Sequence, residues 1–243
     1  MQANHIMEYD VDKSSARIDE ILNVSNQEFI EKDSIPSRDT LTYKNGCYVN
    51  VTCLFIDIIG SSDMTDKHKR PTLAKIYRCF ISECVAIINS YDICKEININ
   101  GDCVWGVFDT QNNIDKNTVF EIAGQLSSLI TILNYKLYKK DYSEIKVGIG
   151  IDYGRALMVK AGYTDSSIND VVWMGDVVNS ACHICNKAGR DGRKSLIITK
   201  SIYDSLTDKY KGFMNRYTSG GQVLYESNIH NIYMNDWYKE NCK

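Results

Sequence analysis

The sequence predicts an α+β fold: an antiparallel sheet in the ferredoxin-like βαββαβ order, with two long helices on one face. Three observations predict it. Residues 49–59 form a nearly unbroken apolar run of strand length. Two later stretches, about 72–90 and 119–133, repeat their apolar residues at helical spacing. Between them, residues 93–99 and 103–108 alternate around N-G-D, the pattern of a tight β-hairpin.

The remaining elements follow in order. Residues 1–46 are polar and weakly patterned, and 14–30 predict a short amphipathic helix with Ile18, Ile21 and Leu22 on one face. The segment D-S-I-P-S-R-D-T, with one of the two prolines, reads as a linker. An N-terminal extension and linker over 1–46 thus precede one domain over 47–243. Leu73, Ile76, Tyr77, Phe80, Ile81, Cys84, Val85 and Ile88 mark the first long helix; Val119, Ile122, Ala123, Leu126, Leu129, Ile130 and Leu133 mark the second. Residues 145–152 read as a strand, and Y-G-R-A-L-M-V-K-A-G as a turn into another. Gly175 opens a third helix to about Ala188, stopped by G-R-D-G. A short buried strand at 196–198, a short helix at 201–206 and a terminal hairpin around Gly220–Gly221 complete the chain.

The bulk properties narrow the function. At 243 residues, 44% hydrophobic and 24% charged, the chain has the composition of a protein with a real core. Its net charge of −3, with Lys and Arg scattered, speaks against a nucleic-acid surface. No run reaches the ~18 apolar residues of a membrane span. The start M-Q-A-N-H-I-M has no basic and apolar leader, so a cytoplasmic protein is expected. The nine cysteines are an odd number without an export signal, so no disulfide framework is expected. Cys53, Cys79, Cys84 and Cys103 read as small apolar residues. Cys182 and Cys185, with His183 between them, read as neighbours one helical turn apart rather than as half of a zinc site.

Two aspartates stand out. Asp57 interrupts a buried strand among Phe55, Ile56, Ile58 and Ile59, where a carboxylate is costly unless its charge is compensated. Asp102 follows Gly101 in the hairpin turn. Together two such carboxylates suit a divalent cation, which takes hard oxygen ligands. Further along, Asn179, His183 and Lys187 recur every fourth residue and so share one helical face. An amide and two basic groups in a row suit a polyanionic ligand.

Taken together, F-I-D-I-I-G-S-S, I-N-G-D and W-M-G-D-V-V-N-S-A resemble the class III nucleotidyl cyclase domain of adenylate and guanylate cyclases, over roughly residues 48–206. The resemblance makes 47–243 a cyclase catalytic domain. It implies two divalent metal ions, Mn²⁺ or Mg²⁺, held by Asp57 and Asp102 with the backbone carbonyl of Ile58. It implies that Asn179 orients the ribose while the 3′-hydroxyl attacks the α-phosphate and pyrophosphate leaves. It also implies a homodimer with composite active sites.

The departures from the purine pattern are equally informative. Where purine cyclases carry a base-reading Lys, this chain has Asn98; where they carry Asp or Cys, it has Val172, followed by Trp173. An amide both donates and accepts, so Asn98 suits uracil or cytosine. With I-P-S-R-D, H-K-R-P and I-N-D-V-V-W-M-G-D, these substitutions resemble the bacterial Pycsar antiphage pyrimidine cyclases. That resemblance implies cyclic UMP or cyclic CMP as product and a separate effector that answers to it. The family's transition-state arginine falls on His183, and an imidazole, unlike a guanidinium, does not carry a permanent charge. Lys187, Arg190 or Arg193 then stand as alternative sources of positive charge, and Lys211 and Arg216 as candidates for the triphosphate. A purine cyclase with an unfamiliar base site and an inactive nucleotide-binding module are the competing readings; retention of both aspartates favours an enzyme.

Overall fold

The computed structural model describes residues 8–163 and 168–243. The signal-free start read at residues 1–7 lies outside them. In chain order the elements are α1 (Val11–Leu22), β1 (Phe29–Lys32), β2 (Gly46–Ile58), α2 (Ser61–Lys67), α3 (Arg70–Asn89), β3 (Cys94–Asn100), β4 (Cys103–Phe108) and α4 (Asn113–Tyr138). They continue with β5 (Val147–Gly162), β6 (Asn169–Met174), α5 (Asp176–Lys187), β7 (Leu196–Thr199), α6 (Lys200–Ser205), α7 (Asp208–Lys211), β8 (Asn215–Ser219), β9 (Gln222–Ser227) and α8 (Ile232–Asn241). One mixed sheet runs β3-β4-β2-β5-β7-β9-β8, with β1 beside β2 and β6 beside β5. Most pairs are antiparallel; β1–β2 and β5–β7 are parallel.

Both faces of the central strand β2 are buried, which accounts for its continuous apolar run. Leu54, Ile56 and Ile58 enter one core, which Ile76, Phe80, Cys84 and Ile88 of α3 and Ile122, Leu126 and Leu129 of α4 complete. Val49, Val51, Cys53 and Phe55 face the other way, into a smaller core with Trp105, Trp173 and Val177, Ala181 and Cys185 of α5. The expected pair of long helices therefore lies on one face, and α5 on the other. A capping box fixes the start of α4: the Asn112 side chain accepts from the Asp115 N–H, and the Asp115 carboxylate accepts from the Asn112 N–H.

Several local readings change. The helix expected at 14–30 runs from Val11 to Leu22 and ends before Phe29–Lys32, which pairs with β2. Its Ile18, Ile21 and Leu22 are all exposed. Cys79, expected on an apolar face, is also exposed, because the buried stripe of α3 runs through Ile76, Phe80 and Cys84. Residues 147–162 contain no turn. They form a single strand, β5, whose register with β2 continues unbroken through Gly154, opposite Val51. An added strand, β6, folds back on β5, and α8 follows the hairpin expected to end the chain.

Candidate active site

Asp57 is the penultimate residue of β2, in register with Cys103 of β4 and Gly148 of β5. Asp102 sits in the two-residue turn of the β3–β4 hairpin, after Gly101, whose φ of 65° is the left-handed conformation that favours glycine. The strand pairing thus carries both aspartates to one end of the sheet. Only 19% of the Asp57 side chain is exposed. Burial raises its carboxyl above the usual range, the charge of Asp102 raises it further, and Arg190 opposes both. Asp102 Oδ2 is buried with no hydrogen-bond donor.

Two neighbouring carboxylates, one repelled and one unsatisfied, fit a divalent cation. Ile58, the last residue of β2, stands next to Asp57 with its side chain buried. Among the described residues no group of three or more His, Cys, Asp and Glu side chains surrounds a metal position. The two aspartates therefore leave ligand positions for oxygens from the backbone or from a phosphate.

Helix α5 closes the site from above through unusually close backbone contact. A Cβ on Gly148 would lie 2.3 Å from the Cys185 carbonyl oxygen, and one on Gly150 2.4 Å from that of Ala181. V-G-I-G-I therefore lets α5 rest directly on β5, and the Cys185 thiol donates to the Gly148 carbonyl at 3.2 Å. Past the helix end, Arg190 donates to the carbonyls of Cys185 at 3.3 Å and Ala188 at 3.4 Å. It also donates to Asp57 Oδ2 at 3.3 Å. A cation is favoured at a helix C-terminus, and here the same group offsets the charge of Asp57.

The polar face of α5 is only partly free. Asn179 and His183 are exposed, whereas Lys187 is half-buried with its Nζ 3.3 Å from Ser219 Oγ in β8. Cys185 stands level with Gly148 and hence with Asp57; Asn179 lies six residues earlier, roughly 9 Å along the helix axis. The described contacts of one protomer do not bring Asn179 or His183 to the aspartates.

Asn98 is half-buried on β3, and its Nδ2 is buried without an acceptor. On β6, Val172 is 38% exposed, while Trp173 is buried with its Nε1 unpartnered. The other basic candidates are elsewhere. Arg193 packs on the Tyr217 ring and reaches Glu226. Lys211 lies over the Tyr203 ring, and Arg216 pairs with Tyr225; both rings belong to the α3–α4 side of the sheet. Lys211 and Arg216, the candidates for the triphosphate, thus face the side of the sheet opposite Asp57.

Sequence reading missed one feature. Arg38, from the segment read as linker, donates to Glu96 Oε2 of β3 at 3.2 Å and to Asp170 Oδ1 of β6. The available signal was E-I-N-I-N, in which Glu96, Asn98 and Asn100 alternate onto one strand face.

Known proteins resemble this chain in sequence and in fold. The sequence model of the adenylate and guanylate cyclase catalytic domain matches residues 44–224. A uridylate cyclase of Gulbenkiania mobilis is 40% identical, over 99% of this chain and 100% of its own length. One of Treponema porcinum is 35% identical, over 97% of this chain and 82% of its own. Among solved structures, the adenylyl cyclase CyaB of P. aeruginosa superposes with a TM-score of 0.64 at 17% identity, over 75% of this chain and 95% of its own, a likeness of fold. The chain belongs to the adenylate and guanylate cyclase catalytic domain family, the class III nucleotidyl cyclases.

Proposed function

We propose that this protein is a pyrimidine nucleotide cyclase that converts UTP to 3′,5′-cyclic UMP and pyrophosphate, with the reacting groups carried by residues 47–243. The observation that supports the base most directly is the full-length similarity, at 40% and 35% identity, to two proteins named uridylate cyclase. The site's own residues support it too: the positions that read purines in this family hold Asn98 and Val172.

In this reading the 3′-oxygen forms a bond to the α-phosphorus, the bond from that phosphorus to the bridging oxygen breaks, and pyrophosphate departs. The 3′-hydroxyl proton passes to solvent or to the leaving group. Asp57 and Asp102, with the Ile58 carbonyl, would hold two divalent ions, Mn²⁺ or Mg²⁺. When bound, these ions supply positive charge to the triphosphate and lower the pKa of the attacking hydroxyl. The protein's part is chiefly position and counter-charge. Asn98 donates to or accepts from the pyrimidine edge, while Val172 forms the apolar side of its slot and Trp173, on the opposite face of β6, packs into the core behind it. Asn179 orients the ribose, and Lys187 supplies positive charge to the phosphates, a role in which His183 is the weaker candidate. Arg190, already on Asp57, balances the carboxylate until the ions arrive.

Because Asn179 stands well up the helix from Asp57, each site is completed by a partner copy. A two-fold dimer would set the aspartates of one protomer against the α5 face of the other. Among the described residues no helix is long and apolar enough to cross a membrane. The proposed setting is the cytoplasm of a cell under phage attack, where the cyclic nucleotide would activate a separate effector.

The deciding experiment incubates the purified protein with each of the four NTPs and Mn²⁺ and identifies the products. Cyclic UMP as the main product is expected. Faster cyclisation of ATP or GTP would overturn the pyrimidine reading, and no product from any NTP would favour a binding module.

A further inference from the structure

Arg38 makes a connection that the sheet path alone does not. Strands β3 and β6 are separated in the sheet by β4, β2 and β5. In a flat sheet, four steps of about 4.8 Å would hold them some 19 Å apart, well beyond the reach of one guanidinium. Yet Arg38 donates to Glu96 of β3 with Nη1 and to Asp170 of β6 with Nη2. The sheet coils until its β5–β6 arm faces β3, and Arg38 ties the two together. A cavity of about 270 Å³ lies beside the tie, lined by Ile35, Pro36, Ser37, Arg38, Glu96 and Met158 among others.

The positions of the two carboxylates give the tie its meaning. Side chains two residues apart in a strand share a face. Glu96 is two residues before Asn98, and Asp170 two before Val172. One guanidinium therefore anchors both strands that carry the base-reading positions, each one step from the reader. Glu96 is also an unusual anchor for a solely structural link. It is only 8% exposed, and its second oxygen, Oε1, is buried without a donor. A buried unsatisfied acceptor is costly, so its presence on the Asn98 face calls for a return.

We propose that Arg38 is a specificity-setting positioning residue, which fixes the width of the base slot by bridging Glu96 and Asp170. The proposal rests on the pyrimidine reading of Asn98 and Val172 above. A pyrimidine is one ring across and a purine two, so a slot held at fixed width excludes the larger base by shape. A slot released from its tie admits both and holds neither well. Arg suits this role better than Lys, because its planar fork presents separate N–H groups to two carboxylates at once.

The test is initial-rate kinetics on the full chain with UTP, CTP and ATP in Mn²⁺, for wild type, Arg38→Ala, Arg38→Lys and the double variant Glu96→Gln/Asp170→Asn. Misplacing a recognition group by about an ångström costs on the order of tenfold to a hundredfold. Arg38→Ala should raise KM for UTP about tenfold or more, change kcat less, and lower the preference for UTP over ATP about tenfold. Arg38→Lys should fall between wild type and Arg38→Ala, and the double variant should match Arg38→Ala. If the variants lose activity equally towards all nucleotides and keep the wild-type base preference, the tie is only structural and the proposal is overturned. If Arg38→Ala does not fold, Arg38→Lys and the double variant decide by the same ratio. A wild-type protein that prefers ATP removes the pyrimidine reading itself; a UTP-preferring wild type with unchanged variants overturns only the role of Arg38.

Discussion

Arg190 Nη2 lies 3.3 Å from Asp57 Oδ2, so the cation that closes α5 also offsets the carboxylate that interrupts β2. Burial and the neighbouring Asp102 both oppose ionisation of Asp57, and Arg190 answers them only in part. This leaves the pair of aspartates short of positive charge, which a divalent ion would supply. Asp57→Ala and Asp102→Ala should therefore each abolish cyclisation while leaving the metal-free protein folded. Circular dichroism of the purified variants checks the fold, and product assay with Mn²⁺ checks activity. Substantial product from either variant would refute the assignment.

Lys187 and His183 can be ranked. Lys187→Ala should reduce kcat by about 10²–10³, the usual cost of one electrostatic stabiliser, and His183→Ala much less. Ser219→Ala removes the contact that Lys187 makes at rest and should leave kcat nearly unchanged. A large loss in Ser219→Ala would show that Lys187 acts by holding the β8–β9 hairpin against α5 instead.

Shared sites predict complementation. Asp57→Ala and Asn179→Ala should each be nearly inactive alone, since each spoils both sites of a two-fold dimer. After subunit exchange, half the dimers are mixed, and each mixed dimer holds one intact site. Activity should then recover to about a quarter of wild type. No recovery, with exchange verified by tagged pull-down, would place both residues in a site made by one chain.

The contact of α5 with β5 predicts a stability effect. In Gly150→Ala the new Cβ would meet the Ala181 carbonyl at 2.4 Å and the Cys185 amide nitrogen at 2.5 Å, and neither backbone atom can rotate away. A cost of about 1–3 kcal/mol is expected, as for an overpacked core. Gly220→Ala is a control for added bulk, because nothing lies within 4 Å of that Cβ, although its φ of 57° carries some strain of its own. Equal denaturant midpoints for the two variants would contradict the close approach.

Glu96 predicts a pH dependence. Burial raises its carboxyl above the usual range; Arg38 pulls it down and Asp170 pushes it up. Removing Arg38 should raise it further. A carboxyl raised by folding contributes stability that is present below its unfolded pKa and is lost as pH rises through its folded pKa. Arg38→Ala should thus melt close to wild type in acid and fall progressively below it as pH climbs to neutrality. Adding Glu96→Gln should remove most of that trend. A melting difference that does not vary with pH would mean that Glu96 is not the group responding.

Much of this fold is written in local pattern. The buried run around Asp57, the helical stripes of α3 and α4 and the N-G-D hairpin each depend on neighbours within a few residues, and each was found within a few residues of its expected bounds. Where pairing overrides local signals, the sequence misleads: Y-G-R suggests a turn, but β2 on one side and α5 above keep β5 continuous through Gly154. The strand at Phe29–Lys32 is likewise decided by the free edge of β2 that it meets.

The site divides in the same way. The sequence by itself singled out Asp57, a carboxylate in an apolar run, and Asp102, one in a hairpin turn, and it pointed to Asn179 through the resemblance of W-M-G-D-V-V-N-S-A to the cyclase motif. Only the tertiary structure decided which cations serve them. It put Arg190 on Asp57, turned Lys187 towards Ser219, sent Lys211 and Arg216 to the opposite face, and drew Arg38 from an apparent linker onto β3 and β6. The reason is reach. Long basic side chains find partners several ångströms from their own backbone, on strands 58 and 132 residues away in the case of Arg38. Sequence spacing holds no record of those partners until the sheet coils and brings them together.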